Sequence, residues 1–524
     1  MSRKFPQALF VLSIAVLMAS HLSASTYYIA ANGSDSNNGT SESAPWEHLP
    51  GMPTWTGSHT PAAGDTFILR GCDDWGNSNF PVNWKWSGTS GSPITIDRDT
   101  TWYNTSNCPS GWNRPKFDAG SAVIDPPECT GTNAYWTFSA VSNVTVNWIE
   151  LINYFWASAN SQGSCAGNDF MVSTSSSASN VQWNNSYVHA WTHGGSSGDL
   201  NGSAFMNGCP TCSVNFLVMD NSDGSKYSGG GMQWPTQHSI FVYVANAIKP
   251  HMGGEYAYNN ISHLGVGPGG NHPNCIETIG PIPSNASTFW IHDNWIHDMP
   301  LPEQCETLQV GNTGETDYVW NNVWCCDIGG GYVAQLPQNS QPDVTAFYMF
   351  NNVWEENLGN GVCANIQGSG SEWVNAFVMI NNLCLVPNAP NGTTQSQLMM
   401  SGNTVTGATT IAFSNNIVET MATAKAHNCL ATSTYPYMPT SSCQDTVGTG
   451  SNLTSKFMPA GFSTIDTSYA CSEQTVSGVV ESVCPQRTAN TRPSSGAWDS
   501  GAYEFESASS GQPNPPTGLT VSVQ

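Results

Sequence analysis

The chain has 524 residues, of which only 10% are charged, and its formal net charge at neutral pH is −24. Such an acidic chain, with 13 Lys and Arg in total, cannot offer nucleic acid a basic groove. We therefore expect no nucleic-acid partner.

Residues 1–25 have the pattern of a secretory signal peptide. Arg3 and Lys4 precede an apolar run at 8–19, and small residues follow at 23–25. The run is too short for a membrane span, and no later stretch is long and apolar enough to be one. We expect a secreted protein, extracellular or at the cell surface, without a transmembrane segment. Export also predicts that the 16 Cys form disulfides, including a local one at Cys209-Pro-Thr-Cys212.

Residues 26–120 contain three short motifs. They are the segment 27–35 (YYIAANGSD), the pair Pro45-Trp46 and the segment 64–69 (GDTFIL). In these motifs the chain resembles secreted right-handed β-helix proteins of the pectate-lyase-like superfamily, closest to uncharacterised Acidobacteria-type extracellular members. The resemblance implies an N-terminal cap and first coils here. It specifies a fold and leaves the activity open.

Residues 121–425 carry a repeat of about 30 residues. An Asn-Asn pair followed by an apolar residue returns at intervals of 28 to 34 residues from Asn259 onward, each time after a short run of aromatic and branched residues. Asp220-Asn221 is a candidate degenerate copy in the longer gap before Asn259. The pairs are Asn184-Asn185, Asn259-Asn260, Asn321-Asn322, Asn351-Asn352, Asn381-Asn382 and Asn415-Asn416, with Asp293-Asn294 as a variant.

The Asn pairs suit the corners of a solenoid. Asn accepts the left-handed conformation of a sharp bend, and stacked Asn side chains can bond one another in a ladder. We predict an all-β, right-handed parallel β-helix of about three strands per coil, with the pairs in one vertical row. An ordinary β-sandwich with Asn-rich turns is the alternative, but sandwiches lack this periodicity.

Two glutamates occupy equivalent places in neighbouring repeats. Glu277 and Glu306 both stand before Thr and an aliphatic residue, and their spacing of 29 residues matches the repeat. We expect them to stack about 5 Å apart on adjacent coils. Such a pair could share a cation, with calcium as the candidate ion. Alternatively, it could serve as the two carboxyl groups of a retaining glycosidase.

A second candidate column stands four residues after each pair. It contains His263 and His297, and Asp298 follows His297 directly. Imidazoles beside carboxylates supply acid–base groups near neutral pH or bind a metal. The alternative is a stacked polar ladder whose members only satisfy each other.

These features favour a carbohydrate-active protein that cleaves a polysaccharide in a groove along the β-helix. Between residues 117 and 424 the only basic side chains are Lys226 and Lys249, whereas a uronate lyase needs a base and a cation beside an anionic substrate. Hydrolysis of a neutral glycan needs only carboxyl groups, so a glycoside hydrolase is favoured over a lyase. The alternative is a non-catalytic adhesin, matrix protein or glycan-binding protein.

The last two segments close the chain. Residues 426–505 contain Cys429, Cys443, Cys471 and Cys484, which we expect to form two disulfides in a C-terminal cap over the open end of the β-helix. Residues 506–524 form a Pro-rich tail.

Overall fold

The computed structural model describes most of the chain between residues 24 and 505. The described ranges are 24–120, 134–156, 170–193, 203–206, 209, 211–224, 226, 229–250, 252–265, 274–278, 288–299, 306–309, 314–328, 334–336, 344–355, 364–366, 373–387, 408–430, 435–454, 456–457 and 464–505. Residues 1–23 of the predicted signal peptide and the Pro-rich tail lie outside them. No helix within these ranges is long and apolar enough to cross a membrane.

The described secondary structure consists almost entirely of short strands. The first group is β1 Thr26–Ile29, β2 Thr66–Leu69, β3 Asp74–Gly76, β4 Val82–Trp84, β5 Ile94–Asp97, β6 Lys116–Asp118, β7 Trp136–Phe138, β8 Ser142–Asn147, β9 Glu150–Ile152, β10 Phe155–Trp156, β11 Phe170–Thr174 and β12 Ser179–Asn184. The second group is β13 Tyr187–His189, β14 Thr192–His193, β15 Ser203–Met206, β16 Ser213–Asn215, β17 Val218–Asp220, β18 Gly231–Met232, β19 Thr236–Gln237, β20 Ile240–Val242, β21 Gly254–Ala257, β22 Asn260–Ser262, β23 Asn274–Glu277, β24 Thr288–His292, β25 Trp295–Met299 and β26 Glu306–Gln309. The third group is β27 Thr316–Trp320, β28 Val323–Ile328, β29 Ala334–Leu336, β30 Val344–Phe350, β31 Val353–Glu355, β32 Ala364–Ile366, β33 Trp373–Ile380, β34 Leu383–Leu385, β35 Thr410–Ser414, β36 Ile417–Glu419, β37 Ser472–Val476 and β38 Val479–Val483. One α-helix, α1 Met421–Ala426, follows β36, and a 3-10 turn spans Asn77–Asn79.

The strands assemble into long parallel sheets that run along one axis. The first sheet has 13 strands in the order β1-β2-β5-β8-β12-β16-β19-β21-β24-β27-β30-β33-β35, and the second has 12 in the order β3-β6-β9-β13-β17-β20-β22-β25-β28-β31-β34-β36. A third face consists of the five-stranded sheet β18-β15-β11-β7-β4 and the four-stranded sheet β23-β26-β29-β32, which Ile248 joins by bridges to Met232 and Ile276. Successive strands of the chain visit the three faces in turn. The predicted all-β solenoid, a parallel β-helix, is therefore confirmed, and it begins at β1.

Alternation along each strand places one side chain in the core and its neighbours outside. In the second sheet the middle residues of the strands face inward, and they stack from Phe241 through Ile261, Ile296 and Trp324 to Trp354. All of these side chains are fully buried. Each coil thus buries its apolar residues against the coils above and below, as a solenoid requires.

The predicted row of Asn pairs lies at the corner between the first and second sheets. The first Asn of a pair adopts the left-handed conformation, with φ of 50° at Asn351 and 60° at Asn381. The second Asn is buried: Asn352 Nδ2 donates to Asn382 Oδ1 at 3.0 Å, and Asn382 Nδ2 donates to Asn416 Oδ1 at 2.8 Å. The vertical row and its amide ladder are confirmed for the pairs from Asp293-Asn294 to Asn415-Asn416. The ladder comprises Asn259, Asn294, Asn322, Asn352, Asn382 and Asn416.

Two pairs are out of register with this row. At Asn184-Asn185 the left-handed residue is the second Asn, with φ of 54°, and the buried Ser186 takes the ladder position. In the coil of Asn259 the left-handed residue is Tyr258, with φ of 59°, and Asn259 itself takes the ladder position. At this corner and the two corners before it, the rings of Phe216, His238 and Tyr258 stack, with neighbouring ring centroids 4.8 Å apart. Ring stacking therefore takes the place of the first Asn in these coils.

The expectation that Asp220-Asn221 is a degenerate copy of the pair is wrong. Asp220 ends β17 in the second sheet, whereas the corresponding corner of that coil is at Phe216, with φ of 55°. The long gap in the repeat contains two short coils whose corners carry no Asn.

The cysteine predictions are confirmed where the structure describes them. Cys209 pairs with Cys212, Cys429 with Cys443, and Cys471 with Cys484. The described chain also contains a disulfide between Cys72 and Cys108, and no free cysteine.

Part of the predicted C-terminal cap lies along the side of the coils, because Cys471 contacts Asn260 in the middle of the stack. The described residues between 435 and 505, which we call the lateral segment, run along the side of the coils. Asn415, Asn381 and Asn351 donate to the carbonyl groups of Thr449, Ser451 and Asp499 at 2.7 to 2.8 Å. Further along the stack, Asn260 Nδ2 donates to Cys471 O and Ser482 Oγ to His238 O. The lateral segment packs here because the second sheet carries a row of outward-facing apolar residues, which it shields from water. That row includes Val323, Val353 and Leu383, which pack with Tyr437, Tyr469 and Tyr503.

Candidate functional site

The outer face of the second sheet collects polar side chains from distant parts of the sequence. His189, Asp220, Val242, Ser262 and His297 follow one another in register on successive strands, at about 4.8 Å per strand. We call the polar residues on and beside this column the flank site. They are His189, Asp220, His297, their neighbours Glu150, Asp223, His263 and Asp298, and Glu473 of the lateral segment.

The lateral segment borders the flank site on one side. Asn260 Nδ2 donates to Cys471 O at 3.0 Å, and the rings of Trp295 and Tyr469 lie 4.7 Å apart. The hairpin of β37 and β38 follows directly, and β38 contacts β17. The antiparallel hairpin of β37 and β38 therefore contacts the parallel second sheet beside the column of polar residues.

His297 is held by groups on both ring nitrogens. Its Nδ1 lies 2.6 Å from Asp298 Oδ2 and its Nε2 lies 2.8 Å from Asn260 Oδ1, while the ring stacks on Trp295. Burial lowers the pKa of His297, and the hydrogen bond with Asp298 opposes this. The same hydrogen bond lowers the pKa of Asp298. Both shifts favour a neutral imidazole that is hydrogen-bonded to an ionised carboxylate.

His263 lies beside this pair, as the sequence predicted, but in a different register. Ser262 occupies the column position below His297, and the backbone N–H of His263 donates to the carbonyl of Asp298 at 3.1 Å. The one-residue shift at Asn259 explains the difference. Within the described chain, the buried Nδ1 of His263 has no hydrogen-bond partner.

A cation lies next to His263. The Lys226 ammonium is 3.9 Å from the centre of the Tyr243 ring, and that ring lies 4.8 Å from the His263 ring. One of the two basic residues between positions 117 and 424 is thereby placed at the flank site.

His189 bridges two carboxylates at the other end of the flank site. Its Nδ1 lies 2.8 Å from Asp223 Oδ2 and its Nε2 3.2 Å from Glu150 Oε1. Burial would lower the pKa of His189, but the hydrogen bonds with Glu150 and Asp223 outweigh it and raise the pKa. The sequence did not single out His189, because its partners Glu150 and Asp223 lie 39 and 34 residues away.

Glu473 of the lateral segment lies beside Asp220 of β17, and the negative charge of Asp220 acts on the Glu473 carboxyl group. Although its side chain retains contact with solvent, partial burial raises the pKa of Glu473 to about 7, and the negative charge of Asp220 adds to the shift. Asp220 accepts hydrogen bonds from the backbone N–H and hydroxyl of Ser222 at 2.8 and 3.0 Å. The sequence did not predict this pair, because Asp220 and Glu473 are far apart in the chain. Only the path of the lateral segment brings them together.

Glu277 is engaged by polar groups of its own sheet. Lys249 Nζ lies 3.2 Å from Glu277 Oε2, and Asn274 Nδ2 donates to the same oxygen at 2.9 Å. Lys249 therefore neutralises a carboxylate on the third face and does not supply a free base.

The expected stacking of Glu277 on Glu306 is wrong. The two residues lie on adjacent strands, β23 and β26, but Glu277 is in register with Gln309 and Glu306 with Asn274. The pairing is offset by three residues because the segments between the Asn corners and these strands differ in length. The two glutamates therefore do not form a stacked carboxylate pair, and the expectation of calcium shared between them loses its basis.

A third histidine group went unassigned in the sequence. His292 Nδ1 lies 2.7 Å from Asp293 Oδ2 and its Nε2 2.9 Å from Glu255 Oε1, with Trp320 stacked on the ring. His292 is buried at the corner between the first and second sheets. Both ring nitrogens of His292 have hydrogen-bond partners within the fold, which fits a structural role.

The sequence matches no protein-family model. It also matches no curated protein. Among solved structures it is similar to the pectate lyase Pel9A, with 13% identity over 92% of this chain and 96% of that one, and a TM-score of 0.44. A rhamnogalacturonan lyase has 14% identity, 80% and 96% coverage and a TM-score of 0.36. The GH136 lacto-N-biosidase of Eubacterium ramulus has 13% identity, 74% and 67% coverage and a TM-score of 0.40. At these values no activity carries over to this chain.

Proposed function

We propose that this protein is a secreted carbohydrate-active β-helix protein that hydrolyses a neutral polysaccharide at the flank site. The observation that carries this conclusion is the placement of Glu473 beside Asp220 and His189, on two elements that the fold brings together. Glycoside hydrolysis needs one carboxyl group that is protonated near neutral pH and one that is ionised. Glu473, with its pKa raised to about 7, fits the first role, and Asp220 is the second carboxyl group beside it.

In this mechanism Glu473 donates its proton to the oxygen of the bond that breaks. Asp220 supplies the second carboxyl group, as a base for water or as a nucleophile. His189 acts as a positioning residue, because its contacts with Glu150 and Asp223 fix the charges around the pair.

His297, Asp298 and His263 lie about three strand spacings from Asp220, or roughly 14 Å along the axis. A polysaccharide lying along the second sheet would reach both groups. We assign these three residues to binding the chain.

The charge of the surface favours a neutral glycan over an anionic one. The flank site contains the carboxyl groups of Glu150, Asp220, Asp223, Asp298 and Glu473. An anionic polymer would meet this acidic surface and a chain of net charge −24.

A second candidate function is binding without cleavage. On the outer face of the first sheet Trp290, Tyr318 and Tyr348 follow in register, and the two Tyr rings stack 4.8 Å apart. They are only partly buried, and exposed aromatic side chains offer contact area for sugars.

The deciding experiment incubates the mature protein with neutral and acidic polysaccharides, with and without chelator. We expect new reducing ends from a neutral glycan and no absorbance at about 232 nm, since hydrolysis forms no unsaturated product. Glu473→Gln and Asp220→Asn should each lower kcat by about 100-fold or more, while Glu42→Gln, an exposed control, should not. A rise in ultraviolet absorbance would identify a lyase, and binding without product would identify a binding protein.

A further inference from the structure

The structure points to a divalent metal site far from the flank site, and we propose that Glu419, His427 and Asp445 bind a zinc-like ion there. One potential ligand atom from each side chain lies within 4.8 Å of the others. Within the described ranges, this is the one group of three His, Cys, Asp or Glu side chains that meets this distance.

The three residues come from elements that the fold brings to one end of the second sheet. Glu419 ends β36, His427 directly follows α1, and Asp445 belongs to the lateral segment. The disulfide between Cys429 and Cys443 ties the stretches that carry His427 and Asp445 together. The site is therefore built on fixed elements.

A second observation points to a missing ligand for Glu419. Its side chain is 1% exposed, and within the described chain the buried Oε1 has no hydrogen-bond partner. An unsatisfied carboxylate oxygen inside a protein is costly, and a bound cation supplies the partner it lacks. No Lys or Arg of the described chain forms a salt bridge with Glu419 or Asp445.

The electrostatics agree with this geometry. Glu419 and Asp445 are two carboxyl groups with potential ligand atoms within 4.8 Å of each other, a distance at which like charges repel. His427 Nδ1 lies 2.7 Å from Asp445 Oδ2. A divalent ion would remove the repulsion between the carboxylates and use the imidazole as a further ligand.

The donor set indicates the class of ion. An imidazole nitrogen with two carboxylates suits Zn²⁺ and related transition ions, whereas Ca²⁺ takes six to eight oxygen ligands. His427 and Asp445 keep part of their surface exposed, with 40% and 20% of their side chains accessible, so that solvent can reach the ion. The ion would fasten the lateral segment to the last strand of the second sheet.

The test is calorimetric titration of chelator-treated protein with Zn²⁺, Ca²⁺ and Mg²⁺, together with thermal unfolding. We expect one Zn²⁺ per chain, a higher unfolding temperature with Zn²⁺, and no comparable response to Ca²⁺ or Mg²⁺. Glu419→Gln, His427→Gln and Asp445→Asn should each weaken Zn²⁺ binding at least about tenfold.

The matched control is His48→Gln. His48 pairs with Asp35 at 3.0 Å without a second buried carboxylate, so its loss should leave Zn²⁺ affinity unchanged. Co²⁺ provides an independent readout, because its visible spectrum should change on binding to the parent protein and not to Glu419→Gln. Absence of saturable Zn²⁺ binding, equal affinity in Glu419→Gln, or a preference for Ca²⁺ would each overturn the assignment.

Discussion

Replacement of Asn352 by alanine tests the amide ladder at its centre. Asn352 Oδ1 accepts from the backbone N–H and the side-chain amide of Asn322 at 3.0 and 2.9 Å. Its Nδ2 donates to the carbonyl groups of Val319 and Phe350 and to Asn382 Oδ1, each at 3.0 Å. One fully buried side chain thus makes five hydrogen bonds across three coils.

The magnitude follows from the groups that lose a partner. The backbone N–H of Asn322 and the carbonyl of Val319 would stay buried without these bonds, and each such group costs about 1–3 kcal/mol. We therefore expect Asn352→Ala to lower the free energy of unfolding by roughly 2–6 kcal/mol. The control, Asn38→Ala, removes one exposed hydrogen bond to Thr40 and should cost less than about 1 kcal/mol.

The assay is equilibrium unfolding in guanidinium chloride with the disulfides intact, followed by tryptophan fluorescence. Hydrogen exchange at the Asn322 amide gives a local readout, and its protection should fall in Asn352→Ala. A loss no larger than that of Asn38→Ala, with the Asn322 amide still protected, would refute the view that the ladder stabilises the corners.

Three further predictions concern burial, the lateral segment and the disulfides. Asp317 is fully buried, and burial together with the charge of Glu315 raises its pKa well above the usual value. The folded state therefore holds a proton that the unfolded state releases. As a result, the free energy of unfolding falls as pH rises above about 4. Asp317→Asn should flatten that fall, and an unchanged slope between pH 4 and 8 in chemical unfolding would contradict it. Arg492 is buried and bonds Glu504 at 2.9 Å and Asn321 at 3.1 Å; Arg492→Met should cost about 3–5 kcal/mol and speed proteolysis of the lateral segment, whereas the parent cleavage rate would argue against it. Unfolded, unreduced protein should yield fewer than about four free thiols per chain by thiol titration, because exported cysteines are paired.

The fold could be predicted from the sequence because its signals are local and repeated. The corner conformation of an Asn depends only on its own backbone and on the neighbouring coil. The period of the pairs therefore predicts the axis of the solenoid and the vertical row of Asn side chains. The alternation of buried and outward residues in each short strand likewise depends on neighbours alone. The same local reasoning brought His263, His297 and Asp298 together.

The tertiary structure decided the register and the long-range partners. Loop lengths between corners vary, so spacing in the sequence placed Glu277 against Glu306, whereas the strands pair it with Gln309. The positions of Glu473 and Asp445 depend on a lateral segment that returns along the coils, which no repeat in the sequence encodes. A periodic sequence specifies contacts between neighbouring coils, but contacts between residues hundreds of positions apart arise only when the whole stack is formed.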